Sequence, residues 1–214
     1  MKLPGVKRTT LPGSTDTMND EFDLLIDSYL ENNVGISAGF LSEDLTKGLL
    51  QNIIQLQQDD LMTSAGIGNE VLKDPLQTMR GDKIYWMDKN HLNVFEEAFL
   101  LRIEGFIEHL NSTCYTGINA YEFHYAVYEE GSYYKRHKDQ FKNNSTRKFS
   151  LINYLNENWL EEDGGQLLVY QKDGFQKILP QAQTAVFFKS DEMEHEVSKA
   201  NRRRMSITGW LKRI

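Results

Sequence analysis

His137 and Asp139 stand two positions apart in the run Tyr133 to Asp139, whose aromatic content reads as a strand, and residues i and i+2 of a strand project to one face. One imidazole and one carboxylate can therefore reach a single point. Alone, such a pair is often no more than a surface ion pair. His195 adds weight to it, lying far along the chain and directly after a predicted strand, Thr184 to Lys189. Two imidazoles and one carboxylate on one side of a metal leave its other positions open, which suits Fe(II) that must take up dioxygen; zinc would accept the same donors. Arg204 separates these readings. It opens a run in which Arg204, Ser206, Thr208 and Trp210 share one parity. A guanidinium inside a β-structure needs an anionic partner to offset its desolvation, and a carboxylate fits its planar fork. A cosubstrate carrying a carboxylate would supply that partner. A zinc hydrolase fits less well, because no general base accompanies the ligands and Arg204 would lack a partner.

These residues must be positioned by a framework that the hydrophobic pattern reveals. Phe22, Leu25, Ile26, Tyr29 and Leu30 recur at the spacing of one helix face and predict a helix over 22–32. Ser42 can cap a second helix, with Leu45, Leu49 and Ile53 in one row. Asn93 and Glu96 have the spacing of a capping box, followed by Phe95, Phe99, Ile103, Phe106, Ile107 and Leu110 in helical register. After Thr116 the period falls toward two residues. Segments 121–128, 133–139, 148–155, 166–170 and 184–189 read as strands, separated by turns such as Asp163-Gly164-Gly165. The expected organisation is a flexible leader over 1–20, a helical support with the first strands over 21–115, and a β-core over 116–214.

Composition limits the alternatives. The 214 residues carry 24 basic and 31 acidic side chains, for a net charge of −7, and 40% are hydrophobic. That is enough apolar mass for a core. An acidic total argues against a nucleic-acid partner, which is usually met by a basic surface. No stretch reaches the ~18 apolar residues of a membrane span, and the expectation is no membrane partner and a cytoplasmic location. Cys114 is the single cysteine, so neither an intrachain disulfide nor a thiolate cluster is available, and it is expected as a buried thiol without a catalytic role. His91, His109 and His124 are expected to be surface or structural histidines, and Trp86, Trp159 and Trp210 core or barrel-edge aromatics. In Arg202-Arg203-Arg204 adjacent residues face opposite ways, which predicts Arg204 inward and Arg203 solvated.

From about Phe22 to Ile214 the chain resembles the prolyl 4-hydroxylase-like branch of the 2-oxoglutarate and Fe(II)-dependent oxygenases, particularly the hypoxia-factor prolyl hydroxylases and their bacterial relatives. The carriers are Arg80-Gly81-Asp82-Lys83-Ile84, Tyr128 and Gly131 ahead of Tyr134-Lys135-Arg136-His137-Lys138-Asp139, Tyr154-Leu155-Asn156, and Trp159. Gly164-Gly165, His195-Glu196-Val197 and Arg204-Met205-Ser206-Ile207-Thr208-Gly209-Trp210 complete them. The loop from Tyr128 to His137 is one residue shorter than in the hypoxia-factor enzymes.

The resemblance implies an α+β, mainly β fold: a double-stranded β-helix, or cupin-like jelly roll, supported by N-terminal helices. It implies Fe(II) held by His137, Asp139 and His195, and 2-oxoglutarate whose distal carboxylate pairs with Arg204. Tyr154 and Thr208 would hydrogen-bond around that carboxylate, and Tyr128 would lie nearer the metal. Asp82 and Arg147 match positions near the substrate entrance, with an ordinary surface salt bridge as the alternative. The implied reaction consumes O2, releases succinate and CO2 and hydroxylates a prolyl residue of a protein or peptide, with ascorbate as an accessory reductant. A hydroxylase of a free amino acid or other small molecule, or a non-catalytic cupin-like binder, are the alternatives. Loops from Met62 to Gln77 and near Asp88 to Asn90 are where substrate choice is expected. Oligomeric state is left open by the sequence.

Overall fold

A computed structural model of the chain describes residues 15–65, 80–140, 145–172 and 174–214. Three helices come first: α1 (Thr15–Asn32), α2 (Glu43–Gln58) and α3 (Val94–Cys114). Short strands β1 (Gly35–Ala38), β2 (Thr63–Ser64) and β3 (Asp82–Trp86) are threaded between them. The strand-rich half follows with β4 (Ala120–Tyr128), β5 (Tyr134–His137), β6 (Arg147–Tyr154), β7 (Leu167–Gln171), β8 (Gly174–Ile178), β9 (Thr184–Lys189), β10 (Glu194–Val197) and β11 (Arg204–Lys212).

The strands make two antiparallel sheets, one of seven in the order β1-β9-β6-β11-β4-β3-β2 and one of four in the order β5-β10-β7-β8. Alternation along each strand decides which side chains go where. In β4, Phe123, Tyr125 and Val127 join Ile207 and Leu211 of β11 and Phe187 of β9 against the helices. The opposite parity, with Ala126, Tyr128, Ile152, Tyr154, Val186 and Phe188, meets Leu167, Val169 and Val197 of the smaller sheet. The two sheets thus close on a shared interior, a double-stranded β-helix, while the helices cover only the outer face of the larger one. Phe106 of α3 and Tyr29 of α1 pack edge-on to Phe187, with ring centroids 5.5 and 5.3 Å apart. Burial of each such ring contributes about 1.5–3 kcal/mol.

The caps hold as the sequence predicts. Ser42 Oγ accepts the amide of Leu45, and Asn93 forms a reciprocal capping box with Glu96. Two expectations are corrected. Helix α1 begins at Thr15, inside the stretch expected as leader, because its first turns are polar and give no apolar period although Asp20 and Glu21 favour a helix N-terminal half. Cys114 is exposed rather than buried: the buried row of α3 ends at Leu110, and the thiol lies in the final turn. Strands β1 and β8 lack a usable period and were not among the predicted segments; they form by pairing with β9 and β7. Residues 1–14 of the expected leader, and 66–77 of the loop expected to choose the substrate, lie outside the described residues.

Candidate metal centre and cosubstrate pocket

Strand β5 delivers His137 and ends just before Asp139, and β10 delivers His195 directly opposite His137 in register. The pairing brings the two imidazole rings to 4.3 Å between centroids. Asp139 completes the cluster, with Oδ1 3.5 Å from His137 Nε2 and Oδ2 3.7 Å from His195 Nε2. One donor atom from each of the three residues lies within 4.8 Å of the others. The sequence expectation of one shared point is what the sheet pairing builds.

The surroundings set the chemistry of these donors. His137 Nδ1 is 2.7 Å from the carbonyl of Lys135, and His195 Nδ1 is 3.3 Å from the carbonyl of Met193. A carbonyl only accepts, so both Nδ1 atoms carry the proton and both Nε2 lone pairs point at the shared centre. The Tyr134 ring stacks on His137 at 3.6 Å between centroids, and Phe188 covers His195 at 4.9 Å. Burial lowers the His195 pKa, against the pull of Asp139, which keeps the imidazole neutral and ready to ligate. Burial would raise the Asp139 carboxyl, but His195, His137 and a hydrogen bond from Ser150 hold it well below the usual range. Ser150 Oγ donates to Asp139 Oδ2 at 2.6 Å and lies 2.9 Å from Ser190 Oγ. The donor set fits Fe(II): two neutral imidazoles and one carboxylate on one side, with coordination positions left over.

Arg204 lies toward the other end of the interior between the two sheets, 2% exposed. Its Nε donates to the Gly165 carbonyl at 2.8 Å and its Nη1 lies 3.4 Å from Ser206 Oγ. Gly165 has φ +63°, and a Cβ there would stand 3.0 Å from Arg204 Cδ, so glycine allows the turn to close on the arginine. The rings of Tyr128 and Tyr154 flank the guanidinium at 4.9 and 5.0 Å. Among the described residues no carboxylate pairs with Arg204, and the buried Tyr154 hydroxyl has no hydrogen-bond partner. A buried guanidinium with no carboxylate partner among the described residues, beside the buried Tyr154 hydroxyl, is suited to take a carboxylate. That is what the far end of 2-oxoglutarate requires.

Other predicted residues fall differently. Thr208, expected beside the carboxylate with Arg204, lies two register steps away, opposite His124 and Ile152. Shared parity puts it on the same face, but four residues of strand separate the backbones by ~13 Å, and Ser206 is the hydroxyl that touches Arg204. Tyr128, expected nearer the metal, has its backbone directly opposite Arg204 and its ring centroid 4.9 Å from the guanidinium carbon. Asp82 is buried and takes Arg80 in a two-pronged pair at 2.7 and 2.5 Å, not a surface bridge. Arg80 in turn lies over the Tyr134 ring that stacks on His137. Arg147 pairs with Glu122, lies 3.4 Å over the Trp210 ring and donates to the Asp139 carbonyl at 3.2 Å. Arg203 is exposed with Glu129, as parity predicts.

The sequence reading missed Ser150, Ser190, Tyr134 and the Gly165 carbonyl as supports. Ser150 carried a usable signal, being a small polar residue at the parity of Ile152 and Tyr154 and set between Phe149 and Leu151. The carbonyl of Gly165 carried none, since backbone groups look alike in a sequence.

A double-stranded β-helix with two imidazoles and a carboxylate at one end of its interior and a buried arginine at the other has the build of a non-haem iron oxygenase. The model of the 2OG-Fe(II) oxygenase superfamily matches residues 123–212. A prolyl-4-hydroxylase structure from Pseudomonas putida is similar at 30% identity and TM-score 0.81, covering 90% of this chain and 99% of that one. The chain belongs to the 2OG-Fe(II) oxygenase superfamily, and it is an Fe(II)- and 2-oxoglutarate-dependent oxidoreductase. The fold is also shared with a Trichoplax adhaerens prolyl hydroxylase in complex with a hypoxia inducible factor peptide fragment, at 24% identity and TM-score 0.83, covering 94% of each chain. A viral collagen prolyl hydroxylase from Paramecium bursaria Chlorella virus-1 matches at 19% identity and TM-score 0.59, covering 86% of this chain and 97% of that one.

Proposed function

We propose that this protein hydroxylates a prolyl residue of a protein or peptide. The observation that carries the reading is the presence, within one β-helix interior, of the His137-Asp139-His195 cluster and a buried Arg204 that lacks a carboxylate partner among the described residues. The likeness across nearly the whole chain to the Pseudomonas putida prolyl-4-hydroxylase supports the choice of proline.

His137, Asp139 and His195 would hold Fe(II), and Arg204 with Tyr154 would take the distal carboxylate of 2-oxoglutarate. Bound together, iron and cosubstrate supply the activation of O2 that is coupled to loss of CO2 and formation of succinate. The chain's own part is to fix and enclose. The Lys135 and Met193 carbonyls lock the tautomers of the two histidines, and Ser150 orients Asp139. Ile152, Val186, Phe188 and Val169 line the interior with apolar surface that keeps bulk water from the reacting centre. Trp86 and Trp210, which pack together with Arg147 laid on the latter, would border the path by which a chain segment presents its proline. Asp82 would act there through Arg80, and Arg147 through Trp210. Ascorbate would serve as reductant, in a cytoplasmic setting.

Purified protein with Fe(II) and 2-oxoglutarate, offered a panel of proline-containing peptides, is expected to release succinate and add one oxygen to proline by mass spectrometry. Turnover of free amino acids with none on any peptide would overturn the prolyl-residue reading. Ascorbate is expected to prolong the linear phase of the same assay.

A further inference from the structure

Inside the barrel, one nitrogen of the buried His124 has no hydrogen-bond partner among the described residues. That nitrogen is Nδ1, and the residue is 3% exposed. Its ring packs in a three-ring cluster, with Trp86 at 4.7 Å and Trp210 at 5.4 Å between centroids and the two tryptophans 6.1 Å from each other. Packing therefore fixes the ring while leaving a polar atom unsatisfied, an arrangement that costs stability unless a ligand meets it.

Register says which ligand. Along β11 the inward residues run Arg204, Ser206, Thr208, Trp210, and their partners on β4 are Tyr128, Ala126, His124 and Glu122. Trp210 also pairs with Ser150, the residue that anchors Asp139, so the metal cluster lies at the Trp210 level and Arg204 marks the opposite end. His124 and Thr208 are the pair just inside the metal level. A cosubstrate held by both the cluster and Arg204 would pass this pair. The buried atoms without partners on this wall, Tyr154 Oη, His124 Nδ1 and Trp210 Nε1, mark out the same course.

We propose that His124 is a cosubstrate-positioning residue whose Nδ1–H donates to an oxygen at the metal-bound end of 2-oxoglutarate. The inference rests on the oxygenase reading above and adds to it a donor that no motif of the sequence singled out. Burial keeps the ring neutral, with its pKa down at about 4, so it offers one N–H and no charge that would repel iron.

The test is binding without turnover. Metal-free protein is loaded with Mn(II) and titrated with 2-oxoglutarate, following the fluorescence of Trp86 and Trp210 that flank the ring. His124→Phe, which keeps a flat ring against the two tryptophans and removes both nitrogens, is expected to raise the Kd for 2-oxoglutarate by about ten- to a hundredfold, the worth of one hydrogen bond to a charged group. His124→Asn, with an amide N–H near the place of Nδ1, is expected to recover most of that loss. Mn(II) affinity is expected to stay within a fewfold of wild type in both. His124→Met fills the same space flexibly and serves in place of His124→Phe if that variant does not fold. Unchanged 2-oxoglutarate affinity in the folded apolar variant overturns the role of His124 and leaves the oxygenase reading intact. A wild type that binds no 2-oxoglutarate overturns that reading, and this inference with it.

Discussion

Ser150 Oγ donates to Asp139 Oδ2 at 2.6 Å, from the middle of β6 to the one carboxylate of the metal cluster. Asp139 sits just beyond the end of β5, where no ladder hydrogen bond fixes it, so the serine on the facing sheet sets the direction of its carboxylate. Ser190, 2.9 Å from Ser150, fixes that hydroxyl in turn.

Ser150→Ala is expected to weaken metal binding by about ten- to a hundredfold, the usual cost of losing an outer hydrogen bond to a ligand. Competition titration with a chelator checks it. Equal affinity in the variant and wild type would show that Asp139 holds its orientation alone.

Arg204→Met is expected to reduce affinity for 2-oxoglutarate by about 2–5 kcal/mol while leaving Mn(II) binding unchanged. The stability of the ligand-free variant is expected to equal or exceed that of wild type, because an unpaired buried guanidinium is replaced by an apolar chain. Isothermal titration and urea denaturation measure the two effects separately. A large loss of stability would mean that the arginine serves mainly to hold the Gly165 turn.

Stability of the metal-free protein should fall with acid in a window set partly by His124. Its pKa is about 4 when folded and near 6.5 when unfolded, so between these values the unfolded chain binds more protons and folding weakens as pH drops. The slope from this group reaches at most about 1.4 kcal/mol per pH unit. Urea denaturation at pH 6.5 and 4.5 is expected to show a smaller difference in His124→Phe than in wild type. An identical difference would show that the ring is solvated before global unfolding.

Phe187→Ala is expected to cost about 3–5 kcal/mol, because the ring is buried between Tyr29 of α1, Phe106 of α3 and Phe149 of β6. Thermal melting followed by circular dichroism reads this directly. A loss below about 1 kcal/mol would mean that the helices add little to the stability of the sheet they cover.

Periodicity made the helices and the central strands legible, since Phe99, Ile103, Phe106 and Leu110 lie on one face whatever they pack against, and β9 alternates between buried surfaces. Strands β1 and β8 were not legible, because a four- or five-residue segment with Gly and Ser or Lys acquires its conformation from the neighbour it pairs with. The site divides along the same line. His137, Asp139, His195 and Arg204 are distinctive side chains at telling spacings. Ser150, the Gly165 carbonyl and Tyr134 are ordinary groups that matter only through their location.

By itself the sequence determined which donors exist, which face of a strand each occupies, and that Arg204 must find an anion. It could place Thr208 on the face of Arg204 because parity is local, but it could not say how far apart they lie from a shared ligand. Only the tertiary structure decided that Ser206 rather than Thr208 reaches the guanidinium, that Asp82 answers to Arg80 and Arg147 to Glu122, and that His124 packs against two tryptophans with its Nδ1 lacking a partner among the described residues. Those outcomes depend on register between strands remote in the chain and on the closure of two sheets over one interior. Such distances are set by packing the whole core and are encoded in no single segment.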